Sequence, residues 1–304
     1  MKLHVRRTVL LLGVLALVAA ACGGDDPAPT GGGGTQADET VCSTYDTSAG
    51  DLLARICEEG EIRVSTDPAY PPQSELNPET GEYEGFDIDV AKEIAERLGV
   101  EIAWETPDWE VLTAGGWNDR WDMSVGSMTP TNDRQEVLDF TQPYAYVPAV
   151  VVVHEDSAAA DVATDLDGKK IGFCASCTYE FFVDKSLDIS GFEFDFVIDD
   201  ANGTGYDTDT TALQDLALGD GTRLDAVMTS EPTAQAFIDA GNPVKIVGDA
   251  VFGEPLAIAF DKSSDLGNES LLSEVDAIVA EMHDDGTLSE LSKKWYGGID
   301  VTEV

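Results

Sequence analysis

This chain is short of basic side chains. Seventeen lysines and arginines face 59 aspartates and glutamates, a formal net charge of −42. Nucleic acid and anionic membrane are polyanions, so this balance excludes both as partners. Histidine is scarcer: His4 lies near the N-terminus, and His154 and His283 are isolated. The acids follow no recognisable ligand loop, so no metal site is expected. Motifs for a catalytic triad or a phosphate loop are also missing, and no cofactor is implied. Beyond residue 21 no apolar run is long enough to cross a membrane. The acid is spread over the whole chain, so it marks no single site. It reads as solubility in a salty external medium, where counterions screen the self-repulsion.

Cysteine is sparse too. There are five: Cys22, Cys42, Cys57, Cys174 and Cys177. An odd count in an exported chain asks for a reason. If Cys22 carries lipid, the other four can pair locally as Cys42–Cys57 and Cys174–Cys177. The case for export lies in residues 1–21. Lys2, Arg6 and Arg7 form a positive start, Thr8 to Ala21 is apolar or small, and Ala19-Ala20-Ala21 offers a small-residue cleavage site. A cysteine directly after it resembles the bacterial lipobox, with Ala19 where leucine is usual. Cleavage by an ordinary signal peptidase and either export route, Sec or Tat, stay open. Residues 22–41, rich in Gly, Asp, Pro and Thr, read as a lipid-anchor cysteine and flexible tether. Removing residues 1–21 takes away three bases and no acid, so the charge falls from −42 to −45.

The remainder alternates strand and helix, which predicts an α/β fold with a parallel sheet and ligands at the strand ends. Glu61 to Thr66 reads as a strand ending in a rigid Pro-rich turn, Asp67 to Pro72. Val90, Ala91, Ile94 and Leu98 recur at helical spacing before Gly99. Strands follow at Val100–Trp104 and Asp122–Val125. A second series begins after the apolar run Ala149–Val153. Its strands are Lys170–Phe173, Glu193–Val197, Asp225–Met228 and Val244–Val247. Its helices run from about Thr178 to Ser186, Asp209 to Leu218 and Pro232 to Ala240. The strand Pro255–Phe260 returns to the first unit, and helices at Asn268–His283 and Thr287–Tyr296 close the chain. Ala145–Val152 and Pro255–Phe260 thus read as two crossing hinge segments.

The densest chemistry lies in Gly126-Ser127-Met128-Thr129-Pro130-Thr131-Asn132-Asp133-Arg134, followed by Asp139-Phe140-Thr141-Gln142-Pro143-Tyr144. Free N–H groups at a helix start, hydroxyl donors and a planar guanidinium together make a carboxylate clamp. The competing reading is a helix cap with a surface arginine. The two motifs in this order resemble the amino-acid-type (family 3) substrate-binding proteins of ABC importers. The resemblance extends to Asp67-x-x-Tyr70-x-Pro72, to Gly85-Phe86-Asp87-Ile88-Asp89-Val90-Ala91, and to Asp285-Gly286-Thr287-Leu288 with Lys294-Trp295-Tyr296-Gly297.

The resemblance implies the type II periplasmic-binding-protein fold: two lobes, the second inserted in the first. Residues 42–147 and 257–304 would form lobe 1, and 148–256 lobe 2. It implies that Arg134 grips a ligand's α-carboxylate, with Thr129 adding a hydroxyl and an N–H. Gly126 and Ser127 would accept the ammonium. Tyr70 and Trp109 would be aromatic walls, though Trp109 reads equally as core at a helix start. Asp67 either takes a polar or basic ligand side chain or caps its turn. Cys177 and Thr178 stand where the family has two threonines, and Thr178 would complete the carboxylate shell. The main departure is Ser230, where the family has an aspartate for the ammonium. Either Glu231 reaches in, or the ligand lacks an ordinary α-ammonium.

The implied function is capture of a small zwitterion, most simply an amino acid, by a monomer that delivers it to a membrane permease, with no chemistry. The alternatives are a dehydratase-type enzyme on the same scaffold, with Glu231 or Asp67 as general acid, and a ligand sensor domain. The Cys174-x-x-Cys177 pair also admits a redox reading, which a structural disulfide explains better.

Overall fold

The structure is a computed structural model and describes residues 39–302. The expected targeting segment, Cys22 and nearly all of the expected tether lie outside these residues. The description opens with two short helices, α1 (Val41–Thr44) and α2 (Leu52–Glu59), joined by a disulfide between Cys42 and Cys57. Asp51 accepts the Ala54 N–H to start α2, and Gly60 ends it in the left-handed region. Leu52, Leu53 and Ile56 bury one side of this helix, which the sequence reading passed over.

Strand β1 (Glu61–Ser65) leads into the Pro-rich turn, which is more structured than expected. Strands β2 (Ala69–Tyr70), β3 (Ser74–Leu76) and β4 (Tyr83–Glu84) form a small antiparallel sheet of their own. Helix α3 (Phe86–Leu98) follows Gly85, where only glycine fits: φ is 136° and a Cβ would lie 2.2 Å from the Gln73 carbonyl oxygen. Next come β5 (Glu101–Glu105), α4 (Trp109–Thr113), β6 (Met123–Met128), α5 (Asn132–Val137) and β7 (Leu138–Phe140). Strand β1 pairs in parallel with both β5 and β6.

Strand β8 (Ala145–His154) carries the chain into the second lobe. There follow α6 (Val162–Asp165), β9 (Lys169–Cys174), α7 (Thr178–Val183), β10 (Ala201–Tyr206), α8 (Asp209–Leu216), β11 (Ala226–Ser230) and α9 (Glu231–Asp239). Strand β12 (Val244–Asp261) brings the chain back, and α10 (Glu269–Asp284) and α11 (Thr287–Trp295) pack on the first lobe. The large sheet runs β10-β9-β11-β8-β12-β6-β1-β5, with β7 also on β12. It is mixed: β8 and β12 are antiparallel to each other, and β11 is antiparallel to β8.

Two expectations are corrected. Glu193–Val197 is not a strand. Phe194 and Phe196 pack as an aromatic cluster on Phe182 and Phe252, so their alternation reflects side-chain packing without backbone pairing. The strand at that edge is instead the polar, Gly-rich β10, where a Cβ on Gly203 would come within 2.7 Å of the Phe173 ring. The segments Val244–Val247 and Pro255–Phe260 are the two ends of one strand, β12, interrupted by a register shift between Val247 and Phe252.

The cores show how two strands join two lobes. Tyr144, Ala145 and Val147 at one end of β8 pack with Leu256, Ile258 and Phe260 in the first-lobe core. Ala149, Val151 and Val153 further along β8 join Val247 in the second-lobe core. Alternate residues of β8, Val150 and Val152, face a third cluster beneath α8 and α9.

Candidate ligand-binding site

The cleft is lined from both lobes: Asp67, Tyr70, Trp109, Gly126, Ser127, Thr129 and Arg134 from the first meet Cys174, Cys177, Thr178, Tyr179 and the start of α8 from the second. Strand β12 adds Glu254. The lobes touch across it. The Tyr70 and Tyr179 hydroxyls are 3.3 Å apart, and Trp109 Nε1 and Arg134 Nη2 both donate to the Ser176 carbonyl, at 3.2 and 2.9 Å.

Arg134 is placed by its own helix. Thr131 caps α5 and accepts the Arg134 N–H, which swings the side chain under the end of β6. Arg134 as a whole is 5 % exposed. Nη1 donates to the Thr129 carbonyl at 2.9 Å, and the fork lies over the Trp109 ring, 5.1 Å from its centroid. Two of its five N–H donors are thus spent on carbonyls, and it forms no salt bridge among the described residues. Burial pulls its pKa down to about 10, with the charge of Glu254 opposing. The surface-arginine reading is therefore set aside. Trp109 lines the cavity, but one face of it is taken by Arg134.

Ser127 sits in the left-handed region at φ 52°, rare for a residue with a side chain. A closed network holds it there. Its N–H donates to the Tyr144 hydroxyl, its Oγ to Asp87 Oδ2 at 2.8 Å, and the Tyr144 hydroxyl to Asp87 Oδ1 at 2.8 Å. Asp87 is fully buried at the start of α3, and burial lifts its carboxyl to about 7 against the opposing Ser127 and Tyr144 hydroxyls. Asp67 caps its turn, with Oδ1 accepting the Ala69 N–H, and the residue also lines the cavity.

On the second lobe, Cys174 and Cys177 are bonded to each other and wall the cavity. They brace Ser176, itself left-handed at φ 60°, whose carbonyl receives the two first-lobe donors. Thr178 and Thr129, expected to face a ligand carboxylate, both donate their hydroxyls to Glu254 Oε2, at 2.5 and 3.0 Å.

Ser230 and Glu231 are corrections. Ser230 caps α9; its hydroxyl accepts from Gln73 Nε2 and donates to Thr233, both at 2.9 Å, so its polar capacity is spent between the lobes. Glu231 is the first residue of α9 and points away from the cleft, into an outer groove with Pro72, Pro148 and Trp295.

Five cavity residues escaped the sequence reading: Tyr179, Asp207, Thr208, Asp209 and Glu254. Glu254 is 4 % exposed; burial raises its pKa, with the Thr178, Tyr179 and Thr129 hydroxyls and the Arg134 charge opposing. Asp209 is also 4 % exposed and is raised well above the usual carboxylate range, first by burial and then by the charges of Glu254 and Asp67. The signal for Glu254 was a lone acid bordering an apolar crossing strand. Asp209 stands at a helix start, where an acid needs no ligand to explain it.

With this geometry in place, known proteins supply context. Residues 62–298 match the sequence profile of the bacterial extracellular solute-binding proteins, family 3. The L-cystine-binding protein of Escherichia coli K12 is 30% identical over 254 residues, which cover 83% of this chain and 88% of that one. The L-arginine-binding protein of Pseudomonas aeruginosa is 28% identical, over 77% of this chain and 87% of its own. Among solved structures, a mutant of ArgBP from T. maritima superposes with a TM-score of 0.69 at 28% identity, covering 81% of this chain and 99% of that one. An ancestral amino-acid-binding protein, a precursor of cyclohexadienyl dehydratase, gives 0.68 at 28% identity with the same coverage. The chain belongs to the bacterial extracellular solute-binding proteins of family 3, and it has their two-lobed type II fold.

Proposed function

We propose that this protein captures an amino acid between its lobes and hands it to an ABC permease. The observation that carries this reading is Arg134: a buried guanidinium, facing a cavity, with donors to spare and no carboxylate bonded to it. A buried unpaired charge is costly, so the arrangement suits a ligand that brings its own carboxylate. Relatives named for binding cystine and arginine support an amino-acid ligand.

In this reading, residues 42–147 with 257–304 and residues 148–256 are the two moving bodies, and β8 and β12 flex where they cross. A ligand that touches both lobes binds the closed form better and shifts the equilibrium toward it. The chain acts without chemistry, as a monomer. It is exported by residues 1–21 and held at the outer membrane face through Cys22. No helix among the described residues is long and apolar enough to cross a membrane.

The test is a calorimetric titration of the exported chain with the proteinogenic amino acids and L-cystine. Saturable binding of at least one, lost in Arg134→Ala, is the expected result. Binding that survives Arg134→Ala would refute the clamp. The raised carboxyls of Glu254 and Asp209 also favour a second reading, a general acid for a dehydratase. Release of water from a prephenate-like acid, measured as product formation, would establish it.

A further inference from the structure

The second lobe holds a buried carboxylate for which the described residues supply no counter-charge. Asp209 is 4 % exposed and lines the cavity, yet its Oδ1 has no hydrogen-bond partner. The Thr229 hydroxyl, near the end of β11, and the Cys174 N–H pull its pKa down against burial and the neighbouring acids, but both are neutral donors. Burying a carboxylate without a counter-charge is costly. Its place in the first turn of α8 favours the ionised form through the helix dipole but supplies no counter-charge.

The other cavity charges make the imbalance worse. Glu254 on β12 and Asp67 on the first lobe are near enough to raise the carboxyl of Asp209 by repulsion. Glu254 at least accepts two hydroxyls, and Asp67 accepts a backbone N–H. Among the described residues Arg134 is the one basic side chain lining the cavity. Ser230 is neutral and engaged, and Glu231 points elsewhere. Thr210, next to Asp209, donates to the Ala69 carbonyl at 3.3 Å, so the start of α8 is seated against the first lobe when the cleft is shut.

We propose that Asp209 is the seat for a cationic nitrogen of the ligand, an ammonium or a guanidinium, in place of the acid missing at position 230. This rests on the amino-acid reading above. Closing the empty cleft drives Asp67 toward Asp209 and Glu254, and their mutual repulsion opposes it. A cation placed among the three removes that repulsion. The ligand's positive group then becomes the condition for closure, while Arg134 holds the negative one.

The test is titration of the exported chain and its Asp209→Asn variant with matched probes. L-Arginine is set against 5-guanidinopentanoate, which lacks the α-ammonium, and against L-citrulline, which lacks the side-chain cation. L-Cystine is set against 3,3′-dithiodipropionate. The wild type should prefer at least one cationic probe over its neutralised match, and Asp209→Asn should erase that preference. The preferred probe should lose on the order of 30-fold or more in affinity, while its neutralised match changes by no more than about threefold. The arm that collapses tells ammonium from guanidinium. A preference unchanged in Asp209→Asn, or an equal loss for both members of a pair, would overturn the assignment and leave the Arg134 clamp standing. A wild type that binds no probe would overturn the amino-acid reading itself, and this assignment with it.

Discussion

Arg134 spends two donors on carbonyls from different lobes, and its flat face rests on Trp109. Lysine would keep the charge and lose both the fork and the stacking. Arg134→Lys should therefore weaken amino-acid binding by about 100-fold, the worth of one or two charge-assisted hydrogen bonds. Calorimetry reads this; an affinity within threefold of wild type would sink the clamp.

Asp87 makes a prediction of different kind. Its carboxyl titrates near 7 in the folded chain against an ordinary value of 3.8. The folded state therefore keeps a proton that the unfolded state has released. The stability this contributes is fully present below about pH 4 and is lost as pH rises through about 7. In Asp87→Asn that slope disappears. Denaturation of both proteins from pH 4 to 8 should show a cost of mutation that shrinks as pH rises. A cost constant across the range would mean that Asp87 does not titrate there.

At the scale of elements, the two disulfides should behave differently. Cys42–Cys57 closes a separation of 15 residues and staples α1 to α2, so replacing both with alanine should cost about 3 kcal/mol of stability. Cys174–Cys177 spans only three, for which the same chain-entropy argument gives about 1.5 kcal/mol. Its larger effect should fall on binding, because it holds the Ser176 carbonyl where Arg134 and Trp109 reach it. Thermal melts and titrations of the two double variants separate these outcomes. Equal stability losses with unchanged binding would deny the second bridge its bracing role. The elements that could be read from sequence, such as α3, α10 and α11, carry apolar periodicity and clear stops. Strand β10 could not, since it is polar and glycine-rich and becomes a strand only because β9 offers it an edge. Phe192 to Phe196 misled for the opposite reason: alternating aromatics were drawn into a core without a partner strand.

For the whole molecule, a net charge of −42 on 304 residues opposes compaction, and salt screens it. Screening shortens from about 10 Å at 0.1 M salt to about 3 Å at 1 M. The melting temperature should therefore rise with sodium chloride, most steeply at low concentration. A flat response would show that the acid is not limiting stability.

Local features of this protein were settled by adjacent residues. The clamp motif, the cap of α5, the helix stops and the order of the lobes lie in contiguous stretches, where spacing alone dictates geometry. What faces the cleft was decided by tertiary structure. Glu254 meets Thr129 across 125 positions of sequence, and Gln73 meets Ser230 across 157. No local pattern could tell that Ser230 is spent on a cap, that Glu231 turns outward, or that Asp209 is buried without a counter-charge. Burial and partnering are properties of the closed fold, set by which distant chains arrive at the same place.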